Sequence, residues 1–250
     1  IAGWKNMTTF EGSDNLPVDV PIVIARSYDT ATYNDRVIRG YDWDSNDDNG
    51  RWLNREKNNM ADTRTQRITL APNGDIYVGF EYDGGNTPLR DDPYDLSKSA
   101  PFVGGDYHHS NEFTSTVPKV GVVRLEGESG AFVTGQYMVP RLSSGGDNSF
   151  GLSAGQLLVD DAGRVHVTGS AASGSPMTFD PLPGQYTGGA VHWVMSPDLS
   201  TRELVTRWGH AGTLHAVAVS PSGRVATAGN YSDRFSSSGI VVDDLYRRRA

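Results

Sequence analysis

Three stretches of this chain repeat one pattern, and that repeat limits the possible folds more than any other feature. The copies are Ile68–Gly79, Leu157–Gly169 and Val217–Gly229, each built around a central glycine: Gly74, Gly163 or Gly223. Six and four residues before that glycine, and two after it, every copy is apolar. The residues are Ile68, Leu70 and Ile76; Leu157, Val159 and Val165; Val217, Val219 and Val225. Period-2 alternation of this kind marks β-strands with one face against a core. Between the strands stand Pro72-Asn-Gly74, Asp161-Ala-Gly163 and Pro221-Ser-Gly223, which are hairpin turns with glycine where a positive φ is needed.

A valine-rich strand follows each hairpin: Val120–Leu125, Ala190–Met195 and Gly239–Leu245. After the first two comes a turn and a further strand, Ala131–Met138 and Arg202–Trp208. One unit is therefore four antiparallel strands in two hairpins. The N-terminal part falls into the same register. Ile1–Gly3 and Met7–Phe10 match Val167–Gly169 and Met177–Phe179, and Pro21–Ala25 matches the valine-rich strand. On that register the chain opens at the end of a unit's second strand and stops after the third strand of its fourth unit. The start at Ile1, with no charged segment leading into an apolar one, is expected of a processed product or of part of a longer protein.

Four-stranded units recurring at roughly 40 to 60 residues are the pattern of β-propeller blades. The hairpin Val159-Asp-Asp-Ala-Gly-Arg-Val-His-Val-Thr-Gly169 resembles that of the bacterial β-propeller repeat families. In those families a blade carries hydrophobic-Asp-x-x-Gly-x followed by three hydrophobic residues, x and Gly. The other two copies match more loosely. The resemblance covers nearly the whole chain and its motifs specify a fold, not an activity. It implies a single all-β domain of about four blades, with approximate units 1–65, 66–153, 154–213 and 214–250. These would form a small ring or part of a larger one. Unit spacing is irregular, and Gly79 sits one position early, which departs from the family pattern. A β-sandwich is the alternative architecture.

Charge and composition exclude several function classes. With 22 Lys and Arg against 30 Asp and Glu, the net charge is −8, which argues against a nucleic-acid partner. There is no cysteine, so disulfides, thiolate metal sites and cysteine nucleophiles are excluded. No apolar run approaches the roughly 20 residues of a membrane-spanning helix. No strand–GxGxxG–helix or Walker pattern is present, which argues against a cofactor enzyme with a phosphate loop.

The densest acidic stretch, Asp42 to Gly50, is a candidate calcium loop, since calcium needs six to eight oxygen ligands. The candidate ligands are Asp42, Asp44, Asp47, Asn49 and Glu56. Read as a helix–loop–helix calcium loop, Ser45, Asp47, Asn49, Gly50 and Glu56 fall at positions 1, 3, 5, 6 and 12. Ser45 departs from the usual aspartate, and the flanks read as strands. The competing reading is an Asn-Gly hairpin tip with solvated acids. His108 and His109 are a second metal candidate, although adjacent residues of an extended segment point opposite ways. Gly151-Leu-Ser153-Ala-Gly155 matches the Gly-x-Ser-x-Gly nucleophile elbow, but a loop precedes it and a strand follows, so the elbow cannot form. Ser153 is expected in a loop entering a blade. His166, His192, His210 and His215 read as satisfied or surface histidines. Trp43, Trp52, Trp193 and Trp208 read as core residues, with a sugar-stacking platform as the alternative. Asn6 and Asn230 fit the glycosylation sequon.

These features point to a non-enzymatic binding or scaffolding module of a larger extracytoplasmic assembly, contacting protein partners through loops 83–116 and 142–155. One rival is a carbohydrate-active or other hydrolytic propeller enzyme, with glycan as ligand. The other is a structural repeat protein held by calcium.

Overall fold

The computed structural model describes residues 2–11, 14–29, 34–42, 63–82, 91–92, 95–99, 118–128, 130–138, 140–142, 148–172, 177–179, 182–186, 188–207 and 212–231. Among them are eighteen strands and no helix. In chain order the strands are β1 (Ala2–Glu11), β2 (Asp14–Asp29), β3 (Asn34–Asp42), β4 (Thr63–Leu70), β5 (Ile76–Tyr82), β6 (Asp91–Asp92), β7 (Asp95–Ser99), β8 (Lys119–Leu125) and β9 (Phe132–Met138). They continue as β10 (Arg141–Leu142), β11 (Phe150–Val159), β12 (Val165–Ala171), β13 (Met177–Phe179), β14 (Leu182–Tyr186), β15 (Gly189–Met195), β16 (Arg202–Arg207), β17 (Gly212–Val219) and β18 (Val225–Tyr231).

Two antiparallel sheets have four strands each, β4-β5-β8-β9 and β11-β12-β15-β16. A three-stranded sheet, β1-β2-β3, precedes them and the hairpin β17-β18 follows. Two smaller pieces decorate the connections: the ribbon β6-β7 and the sheet β10-β13-β14. Strand β4 lies against β1 and β2, while β11 lies against β4 and β5 on one side and β17 on the other. The main sheets are thus layered in chain order, and the described layers do not close on themselves.

The repeated turns form as the glycines require. In all three, the amide of the glycine and the amide of the residue opening the turn close a three-residue hairpin loop. Gly163 N donates to Asp160 O at 2.8 Å, and Asp160 N donates to Arg164 O at 3.0 Å. The other two copies pair Gly74 with Ala71 and Gly223 with Ser220 in the same way. The three glycines have φ of 90°, 80° and 77°, the left-handed region that side chains disfavour. Leu199 is the non-glycine exception at φ 61°. It closes the β15–β16 turn and plunges its fully buried side chain into the core. That turn docks on the second sheet, where the Tyr77 hydroxyl donates to Pro197 O (2.5 Å) and the Gln136 amide to Leu199 O (3.4 Å).

The main core lies between the two four-stranded sheets. Tyr77, Val120, Val122 and Met138 meet Leu157, Val165, Val167, Val191, Trp193 and Val205 there. Trp193 therefore sits in the core, as its strand position suggests. The opposite face of the third sheet is also buried, with His166, Thr168, His192 and Val194 under the β17-β18 hairpin.

One expectation from the repeat fails. Ile68 and Leu70 occupy the positions that alternation assigns to a core, yet they are 42% and 66% exposed. Their counterparts Leu157 and Val159 are buried because strands of the preceding sheet lie against them. The first sheet has three described strands, and none of them covers this end of β4.

Candidate functional site

The first strands of the three successive units, β4, β11 and β17, all break register with their neighbours. Between β4 and β5 the break falls at Gln66, and between β17 and β18 at His215. In β11 it is larger. Gly151 pairs with Ser170 and Gln156 with Thr168, so four residues, Leu152 to Gly155, stand opposite Gly169 alone. Bulges re-aim side chains and leave backbone groups without ladder partners. The closing glycines of the second and third copies now have a cause. A Cβ on Gly169 would collide with the Gly151 carbonyl, and one on Gly229 with the Thr213 carbonyl. Gly79 serves a different end, since a Cβ there would meet the Leu152 side chain of the next sheet. Its early position in the motif reflects that separate packing role.

The β11 bulge cannot satisfy its backbone from β12, so neighbouring sheets do it. Glu81 Oε1 accepts from the amides of both Leu152 and Ser153. Arg67 donates from Nε to Gly155 O at 2.7 Å and from Nη2 to Ser153 O at 2.6 Å. Its Nη1 donates to Gln66 O at 2.6 Å. From the other side His215 Nδ1 lies 2.8 Å from Ala154 O. A carbonyl can only accept, so Nδ1 is the donor of this contact. Leu152 turns into the core, while Ser153, Ala154 and His215 are exposed.

Ser153 therefore lies inside strand β11, not in a loop, and residues 150–155 of the expected contact loop 142–155 are strand. The nucleophile elbow is absent, as its flanking strand indicates. The paired amides that an oxyanion would need are held by Glu81. Sequence reasoning missed Arg67 and Glu81, which carry no motif.

A second polar cluster is buried except at Arg164, which is partly exposed. Asp160 opens the β11–β12 turn, and its Oδ1 accepts from the amides of Ala162 and Arg164, both at 2.9 Å. Its Oδ2 meets Arg164 Nε at 2.8 Å and His166 Nε2 at 3.2 Å. His166 Nδ1 lies 3.1 Å from His192 Nε2, and the two rings stack with centroids 5.3 Å apart. Burial pushes the Asp160 carboxyl up, but the Arg164 amide, His166 and the Arg164 guanidinium outweigh it and hold it below the usual range. Burial pulls His166 down against the raising effect of Asp160. It drives His192 down to about 3, with His166 adding to the shift. Ionised Asp160 fixes the tautomers. His166 donates from Nε2 and accepts at Nδ1 from the Nε2–H of His192. Both histidines are thus satisfied interior groups, as their strand positions suggest.

Among the calcium candidates, Asp42 ends β3, and Asp44, Asp47, Asn49 and Glu56 lie outside the described residues. So do His108, His109, His210, Trp43, Trp52 and Trp208. Among the described residues no group of three or more His, Asp or Glu is placed to hold a metal ion. No described helix is long and apolar enough to cross a membrane. Comparison with protein-family models, curated proteins and solved structures finds no match.

Proposed function

We propose that the chain is a propeller-type binding or scaffolding module of a larger extracytoplasmic assembly, and that it meets a protein partner with one end of its sheets. The observation that carries this reading is where the connections fall. In an up-and-down sheet the first and third connections share one end and the second and outgoing connections share the other. The turns at 71–75, 126–131, 160–164, 196–201 and 220–224 are short and share one end. The connections 83–118, 139–149 and 172–188 leave from the opposite end. That end is also elaborated. It carries the β6-β7 ribbon, and β10 from one connection pairs with β13 from the next. Long connections on a rigid layered scaffold are the usual place for recognition. The layering of sheets in chain order and the shared bulge in three first strands favour a propeller over a two-layer sandwich.

Native mass spectrometry of the protein from its source, followed by cross-link mapping, tests this. The expected result is a mass above 27.1 kDa, with cross-links at the long-connection end, for instance at Lys98 of β7. A free chain at its own mass, or cross-links confined to the short-turn end, overturns the proposal.

A further inference from the structure

The two faces of the third sheet are packed differently. The face toward the second sheet is apolar, with Leu157, Val165, Val167, Val191, Trp193 and Val205. The face under the β17-β18 hairpin carries His166, Thr168 and His192, all fully buried. Thr206 shares that face, because it stands directly opposite His192. The hairpin answers with few groups. Among its described residues only Leu214 and Val217 are buried, and its described packing is against β11, β12 and β15. Two hydrogen bonds cross the interface: Val217 N to Gln156 Oε1 at 2.7 Å and His215 Nδ1 to Ala154 O at 2.8 Å. The hydroxyls of Thr206 and Thr227 are buried without a hydrogen-bond partner, which weakens the docking.

Inside this interface the two histidines have little room for added protons. His166 Nδ1 and His192 Nε2 lie 3.1 Å apart, and one proton sits between them. Ionised Asp160 takes the other end of His166. One added proton can be kept if His192 moves its own proton to Nδ1 and accepts from an imidazolium at His166. A second cannot, because it sets two N–H groups against each other and buries two like charges. The charged groups that face the pair are Asp160 and Arg164 of the β11–β12 turn and Glu203 of β16. Arg202 and Arg207 of β16 stand opposite Met195 and Val191 instead. Strands β11, β12 and β15 carry no titratable residue beyond the pair itself. The hairpin carries His215, the exposed Arg224 of its turn, and Tyr231. It offers no carboxylate to an imidazolium beneath it.

We propose that this interface is an acid-operated latch: protonation of the His166–His192 pair releases the β17-β18 hairpin from the third sheet, while the second and third sheets stay packed. The apolar core between those sheets holds no group that titrates in the same range. The latch does not depend on the partner surface proposed above, and either can fail alone.

The test is residue-resolved amide hydrogen exchange of the intact chain at pH 7 and pH 5, corrected for the intrinsic pH dependence of exchange. Burial holds His192 at about 3 in the docked state, and the ring regains its ordinary value of 6.5 once the hairpin lifts. A two-stranded hairpin is marginal by itself, so its own ladder opens on release. Protection of the β17 and β18 amides, Val217 above all, should therefore fall about 30-fold from pH 7 to pH 5, while β5 and β8 keep theirs. His192→Gln, whose amide still donates to His166 Nδ1, should lose most of that fall. The His192 ring signals of the wild type give a second reading, and should move only together with the hairpin amides. They decide even if the variant does not fold. Hairpin protection that holds at pH 5, a fall shared equally by β5 and β8, or an equal fall in His192→Gln overturns the latch. So do His192 signals that titrate near pH 6.5 while the hairpin stays protected.

Discussion

Acid should weaken this fold before any carboxylate titrates, and His192 should be the main cause. Its ring is fully buried on the face that packs under the β17-β18 hairpin. Burial lowers its folded pKa from 6.5 to about 3. The folded value lies below the unfolded one, so between these limits the unfolded chain binds more protons. Stability from neutral His192 is complete above pH 6.5 and is lost as pH falls. From pH 7 to pH 5 the cost is about 1.36 kcal/mol for each of the 1.5 units below the unfolded value, or about 2 kcal/mol. His166 shifts the same way and adds to it. The charged groups that face the pair are Asp160, Arg164 and Glu203. Asp160 is held low, so it stays ionised through this window. The perturbation is His192→Gln, whose side-chain amide can still donate to His166 Nδ1. Urea unfolding followed by tryptophan fluorescence between pH 5 and 7.5 reads the difference. The wild type should lose about 2 kcal/mol more than the variant over that range. Equal pH slopes for the two chains would show that His192 titrates normally in the folded state and would refute the buried relay.

The glycines that face a bulge should not be equivalent. Gly169→Ala drives a Cβ into the Gly151 carbonyl and should cost about 2–4 kcal/mol, read from urea midpoints. Gly79→Ala meets only the tip of Leu152, so its cost should be at least about 1 kcal/mol smaller in the same assay. Gly163→Ala places a side chain at φ 80° and should cost about 1–2 kcal/mol in the same assay. Leu199→Gly relieves a left-handed residue by about 1 kcal/mol but removes a leucine side chain worth about 2–5 kcal/mol, so the protein should become less stable. A neutral or stabilised variant would show that the Leu199 side chain does not hold the β15–β16 turn to the second sheet.

What the sequence shows and what it hides divide along physical lines. Turns and strand alternation are local, so Gly74, Gly163 and Gly223, the valine-rich strands and the core position of Trp193 are legible from neighbours in the chain. Burial of a strand depends on what lies against it, and this is why Ile68 and Leu70 mislead. The pattern marks their face, but the covering strand belongs to another unit. The β11 bulge is hidden for the same kind of reason. Gly151 to Gly155 reads as a glycine- and serine-rich loop, because a strand's register with its partner is not a property of its own residues. A signal was available in the turn. Counting back from Gly163, Gln156 pairs with Thr168, and Phe150 then reaches Ala171 only if three residues are left over. Arg67 and Glu81 had no such signal, since each is one charged residue in an ordinary strand.

The bulge also changes how the layers depend on one another. Apolar faces would let sheets slide by a residue pair with modest loss, whereas backbone groups held by Arg67, Glu81 and His215 fix the offset of β11 against both neighbours. Gln156 adds to this by accepting from the Val217 amide at 2.7 Å. Strand β11 is therefore the joint between the second sheet and the last hairpin.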